Sequence, residues 1–232
     1  MWILFAFGSA LFAGLTAILA KCGIRNTDSN VATALRTIVV LVFSWIMVFV
    51  VGAQSGIKDI PSRVLVFLVL SGMSTGASWL CYFKALQLGN VNKVTPIDKS
   101  STILTMLLAF VFLKEEITWL KLIAMILIGA GTYMMIQKKE IESKNEDKKW
   151  LMYALASAVF ASFTSILGKI GMQDINSNLG TAIRTAVVLV MAWIVVFVTQ
   201  KQDTIKDIDR KSWVFLILSG LATGGAWLCY YR

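Results

Sequence analysis

The chain contains no histidine, only two prolines and three cysteines, and only 15% of its 232 residues are charged. Each scarcity removes a class of function. Without histidine, the commonest acid-base group and the usual metal ligand near neutral pH are missing. No nucleophile motif or phosphate-binding glycine loop takes its place. The sequence therefore nominates no catalytic residue, metal site or cofactor, and it reads as neither an enzyme nor an ATP-driven pump. Cys22, Cys81 and Cys229 have neither metal spacing nor the number of a disulfide framework. A soluble domain carries roughly 25% charged residues. With 57% apolar residues and a mean hydropathy of +0.74, this chain is not one.

Long apolar runs fill the space that charge leaves. Segments of about 17 to 25 apolar residues cross a hydrocarbon core of roughly 30 Å as helices. Eight occur, near residues 2–20, 31–52, 64–83, 96–113, 118–136, 150–168, 179–199 and 212–231. The solvent imposes the helical form, because backbone groups in hydrocarbon must bond within their own segment. The expected fold is an all-α polytopic helix bundle whose first partner is the lipid bilayer. The first run is N-terminal and is followed by Lys21, as a signal peptide could be. No basic stretch precedes it, however, and its counterpart at 150–168 lies inside the chain, so it is read as an uncleaved span.

That counterpart belongs to a repeat. SGMSTGASWLCYFK at 71–84 returns as SGLATGGAWLCYYR at 219–232, and pairing 1–84 with 149–232 without a gap gives 43 identities in 84 positions. The chain is thus one unit of 148 residues and most of a second. The expected organisation is a first five-helix unit at 1–137, a charged linker at 138–149 and a second unit of three helices at 150–232. An odd number of spans per unit makes the second unit enter the membrane from the opposite side, which gives inverted repeats.

Several duplicated features stand out within the spans. In the first and sixth, Ser9, Ala13, Thr16 and Ala20, repeated as Ser157, Ala161, Thr164 and Gly168, form a small and hydroxyl-bearing face suited to close helix contact. Each face ends at a lysine, Lys21 or Lys169. Arg36 and Arg184, flanked by threonines on the same face, lie about 8 Å inside their helix starts at roughly 1.5 Å per residue. An intramembrane arginine costs about 2.5–3.5 kcal/mol at mid-helix on insertion scales and usually faces a protein interior or wet cavity. The preferred reading is a cavity, and the alternative is snorkelling to the interface. Gly72 and Gly76, with Gly220 and Gly224, form G-x-x-x-G packing faces. Beside them runs a polar stripe that ends at Tyr82 and, in the second copy, Tyr230. Trp79 and Trp227 fit interfacial anchors and equally the wall of a pocket that stacks an organic substrate.

The segment ALQLGNVNKVTPIDKSST at 85–102 has no second copy. Pro96 suits the start of a helix, where its missing donor costs nothing. Asp98, Ser101, Thr102 and Thr105 then share a face, with Asp98 as the carboxylate best placed for the membrane interior. It fits a helix-dipole role, an ion pair with Arg36 or Lys99, or proton uptake during transport.

The run CYFKALQLGNVNKVTPIDKSS, followed by LAFVFLKEEIT and LIGAGTYMM, resembles the EamA domain of the drug/metabolite transporter superfamily along the whole chain. The resemblance implies two five-helix repeats, so eight spans of an expected ten are present. It also implies a central cavity between the repeats and movement of a small organic metabolite, commonly outward across the inner or plasma membrane. Glu115 falls at the glutamate of the family's L-G-E-like motif. Lys114 stands where glycine is usual, a departure that weakens the case for a tight turn.

The net charge of +9 does not indicate nucleic acid, because the basic residues are spread over the loops between spans. Setting aside border and intramembrane cations, 11 fall on the side of the 138–149 linker and 5 on the other. The positive-inside rule makes the linker side cytoplasmic, whereas the resemblance implies the reverse. The expected function is secondary transport, with proton coupling through Asp98 or exchange. The alternative is a truncated, non-transporting membrane fragment or interaction module that needs a partner. A homodimer that covers the Gly220 to Gly225 face is one such arrangement.

Overall fold

The computed structural model describes residues 2–137 and 149–230, so most of the predicted linker and the last two residues lie outside it. Nine α-helices and two short 3₁₀ turns make up the described residues, which contain no strand. The helices are α1 (Trp2–Gly23), α2 (Ser29–Val51), α3 (Ser62–Leu88), α4 (Val91–Lys99), α5 (Ser101–Leu113), α6 (Trp119–Gln137), α7 (Lys149–Gly171), α8 (Ser177–Val198) and α9 (Arg210–Tyr230). Seven spans are long and apolar enough to cross a membrane, counting α4 and α5 together, while α6 is a shorter apolar helix over Trp119–Met135. The eight full-length runs read from sequence thus become seven and one shorter helix.

Local chemistry sets the helix ends. Asp28 accepts hydrogen bonds from the Asn30 and Val31 amides, and Asn176, at the same place in the second copy, accepts from Asn178. These side chains satisfy donors that the first helical turn leaves open. The exits are duplicated too. Gly52 ends α2 in the left-handed region at φ 71°, and its counterpart Gln200 adopts φ 53°. Within the membrane the hydroxyls of Thr33, Thr37, Ser44, Thr75, Thr185 and Thr223 each donate to the carbonyl four residues earlier. Side-chain polarity is thereby satisfied inside the helix that carries it.

Two expectations are corrected. The fourth span begins at Val91 rather than Pro96, because the Asn90 side chain caps it by accepting from the Asn92 amide at 3.0 Å. Pro96 is therefore interior, and the helix breaks four residues later at Ser100, whose amide reaches both the Pro96 and Ile97 carbonyls at 3.0 and 3.2 Å. Lys114 does make a tight turn. It ends α5 in the left-handed region at φ 52°, the conformation glycine would supply without a Cβ penalty.

Helix packing follows the repeat reciprocally. α1 packs on α9 and α3 on α7, each pair antiparallel: Gly23 meets Leu216 while Thr16 meets Thr223, and Gly171 meets Leu68 while Thr164 meets Thr75. α3 lies alongside α8, and α9 alongside α2. A Cβ on Gly72 would stand 2.7 Å from Val187 Cβ and 2.9 Å from the Arg184 carbonyl oxygen. One on Gly220 would stand 2.8 Å from Val39 Cβ and 3.2 Å from the Arg36 carbonyl oxygen. Gly76 and Gly224 face Met191 and Phe43 in the same way. α2 and α8 pack on each other. Residues from the start of α8, Asn178 and Thr181, share a crevice with Phe43, Ser44 and Met47 from the second half of α2.

The face from Gly220 to Gly225 is therefore covered, not open as expected, because Val39, Phe43 and Phe12 fill it. The open small-residue face is on α1. Ala6, Ala10, Gly14 and Ile18 are exposed there, whereas their counterparts Ala154, Ala158, Ser162 and Ile166 on α7 are buried. α4 and α5 both pack on α7.

Gly72→Ala and Gly220→Ala are each expected to destabilise the protein by about 1–3 kcal/mol through overpacking, while Gly14→Ala, with nothing within 4 Å of its Cβ position, should not. Thermal unfolding in detergent checks this, and equal melting temperatures for all three variants would contradict the close-packing account. Gln200→Gly is expected to raise stability by about 1 kcal/mol by removing the left-handed penalty. The same melting assay measures it.

Candidate functional site

Among the described residues, Arg36 is the largest fully buried side chain, at 1% exposure. It does not snorkel, because α9 closes over it. Its Nη2 donates to the Thr223 hydroxyl and, at 3.4 Å, to the Ser219 carbonyl. Its Cζ lies 4.9 Å from the ring centroid of Trp79 and 4.7 Å from that of Phe83. Arginine tolerates such stacking because its planar guanidinium is weakly hydrated and attracted to ring faces. Nε has no hydrogen-bond partner.

Trp79 stacks on Trp227 from the second copy, with centroids 6.2 Å apart and planes 26° from parallel. Both rings are half-buried and line one cavity; Trp79 sits within α3, and Trp227 is in the last turn of α9. Tyr82 is buried one turn beyond Trp79, its hydroxyl 3.2 Å from Thr95 Oγ1. Asp98, at 7% exposure, pairs with Lys99 Nζ at 3.2 Å and accepts a hydrogen bond from Ser157 Oγ at 2.6 Å. It has no ion pair with Arg36 among the described residues. The Ser100 break between α4 and α5 places this carboxylate near the end of one helix and the start of another.

A cavity of about 210 Å³ joins these groups. Arg36, Trp79, Tyr82, Asp98, Lys99 and Trp227 all line it, so six of the eight substrate or coupling candidates meet in one place. Thr16 and Ala161, from the small-residue faces of α1 and α7, also line it. Arg184 stands apart. It is half-buried between α3 and α7, donating to Thr75 Oγ1 at 3.3 Å, with Nη1 3.0 Å from the Cβ position of Gly168. The side chain of Tyr230 lies outside the described residues. Sequence reasoning missed Phe83, whose apolar character carried no signal of a cation above it. It also placed Ser157 on a helix-contact face, without Asp98 as its partner.

The loop beyond α5 makes a second polar cluster. Glu115 accepts from Lys169 through one carboxylate oxygen and from Lys121 Nζ, at 3.1 Å, through the other. Lys21, the counterpart of Lys169, instead donates to the Leu86 and Gly89 carbonyls at the end of α3. The bond from Lys169, followed by that from Lys121, holds the Glu115 carboxyl below the usual carboxylate range.

With this geometry in place, comparison with known proteins adds the family. The profile of the EamA-like transporter family matches residues 1–137 and 148–232. The chain belongs to the EamA-like transporter family. A relative from Sinorhizobium sp, described as an uncharacterized transporter in cobO 3'region, is 39% identical over 134 residues, which cover 58% of this chain and 95% of the relative. This EamA-like protein is an integral, multi-pass protein of the cell membrane.

Because the folded-state pKa of Glu115 is depressed, its contribution to stability is fully present above the ordinary carboxylate range and is lost as pH falls through the depressed value. The melting-temperature difference between wild type and Glu115→Gln should be constant above about pH 5, near the usual glutamate range, and shrink below it. A difference that stayed constant down to pH 3 would remove the tie to Lys169.

Proposed function

We propose that this protein is a secondary transporter that exports a small organic metabolite by alternating access between two inverted repeats, 1–137 and 150–232, the second with three helices here. The observation that carries the proposal is the cavity that brings Arg36, Trp79, Tyr82, Asp98 and Lys99 of the first copy against Trp227 of the second. A mostly apolar pocket with a few placed polar groups suits a small organic solute. A site between repeats suits a mechanism in which one repeat rocks against the other. Family membership supports transport, and the resemblance supports the outward direction. Support for inversion comes from α2 and α8, the same helix of the two copies, whose contacts pair the second half of one with the start of the other. Asp98 is the proposed proton-coupling group.

A second reading rests on the unequal faces of α1 and α7. The helix pair α4–α5 packs on α7, and no described helix buries Ala6, Ala10, Gly14 and Ile18 on α1. In this reading the chain is an interaction module completed by a partner, such as a second copy that lends an equivalent helix pair. The Sinorhizobium relative, matched over 95% of its length by 134 residues, is about the size of one repeat.

The test is solute flux in proteoliposomes, screened with a metabolite mixture and an internal pH dye. Wild type should move at least one solute, Arg36→Ala should reduce that flux by tenfold or more at equal protein abundance, and Asp98→Asn should abolish any linked pH change. Unchanged flux in Arg36→Ala would remove the cavity from the mechanism. Flux that appears only in crosslinkable dimers would favour the second reading.

A further inference from the structure

The charge of the cavity wall specifies its ligand. Among the described residues the cavity is lined by one carboxylate, Asp98, and two cations, Arg36 and Lys99. The carboxylate is already matched: Lys99 Nζ lies 3.2 Å from one oxygen, and Ser157 Oγ donates to the other at 2.6 Å. Arg36 is not matched. Its contacts are a hydroxyl, a backbone carbonyl and two ring faces, none of which carries a negative charge. Its Nε–H is buried with no acceptor. The wall therefore carries a net charge of +1, concentrated on a guanidinium that is 1% exposed.

A buried cation without a counter-charge is expensive, and the cation–π contacts offset only part of the cost. Arginine is also the side chain best shaped to bind a carboxylate, with donors fixed in one plane. Trp79 and Trp227, stacked on each other, both line the cavity and give an apolar body a surface beside the guanidinium against which it can leave water. A cationic solute would meet Arg36 and Lys99. A zwitterion would need Asp98 for its ammonium group, and Lys99 already occupies that carboxylate. The cavity is about 210 Å³, roughly seven waters at their liquid volume, which suits a small molecule.

We infer that the cavity takes a small organic monoanion, a monocarboxylate with a planar apolar body, whose carboxylate neutralises Arg36 while its body lies along Trp79 and Trp227. This inference rests on the reading of the cavity as the solute site and adds the sign and number of charges on the solute.

Three ligands of one shape test it: benzoate, benzamide and benzylamine, added to the full chain in nanodiscs and followed by thermal shift and calorimetric titration. A ligand that binds only the folded state raises the melting temperature by mass action. Benzoate should bind at least about tenfold more tightly than benzamide, the discrimination expected for a charge-assisted bond. Benzylamine should give no shift. Arg36→Gln should equalise benzoate and benzamide, while Trp79→Ala should weaken both. If Arg36→Gln does not fold, the ranking on wild type decides alone. Benzamide or benzylamine binding as well as benzoate, with Trp79→Ala still weakening it, would overturn the monoanion and leave the cavity as a solute site. No Trp79-dependent binding by any of the three would overturn both.

Discussion

The close approach of α9 to α2, and of α3 to α8, is the constraint on which the other contacts rest. Gly220 lets the backbone of α9 come against the Arg36 carbonyl. Once the helices are that near, Thr223, one turn further along α9, is within reach of the Arg36 guanidinium. The same step brings Trp227 against Trp79. A side chain at Gly220 would push α9 away from the arginine that it shields. In a bilayer such contacts matter more than in water, because lipid tails are as apolar as the helices and burial alone does not drive helices together.

Much of this was legible in the sequence because duplication made it so. A glycine pair, an arginine and a tryptophan that recur at a fixed offset of 148 residues identify packing and polar positions without any structure. Arg36, Trp79, Tyr82, Asp98 and Lys99 could be named because each is unusual for an apolar helix. What could not be read was which of two equal signals faces the cavity. Arg36 and Arg184 are indistinguishable in sequence context, yet α4 packs more extensively on α7 than on α1, so their surroundings differ. Phe83 and Ser157 were illegible for the opposite reason, since an aromatic and a serine in an apolar helix ordinarily signify packing.

Turn chemistry was the least legible feature. The start of α4 was placed at Pro96 because proline is favoured there, but Asn90 supplied a cap six residues before the expected range and left proline inside the helix. Lys114 and Gln200 both take left-handed conformations that their side chains disfavour. At Gln200 the first copy records the solution without strain, since Gly52 occupies the same place.

The stacked tryptophans have a property that no other cavity contact shares. Every other reciprocal contact has its twin elsewhere in the molecule: Gly72 on Val187 is matched by Gly220 on Val39, and Thr164 on Thr75 by Thr16 on Thr223. Trp79 and Trp227 are each other's twin, so in this contact each copy meets its own equivalent. A rearrangement that exchanged the surroundings of the two halves would convert each of the other contacts into its twin and return this one to itself.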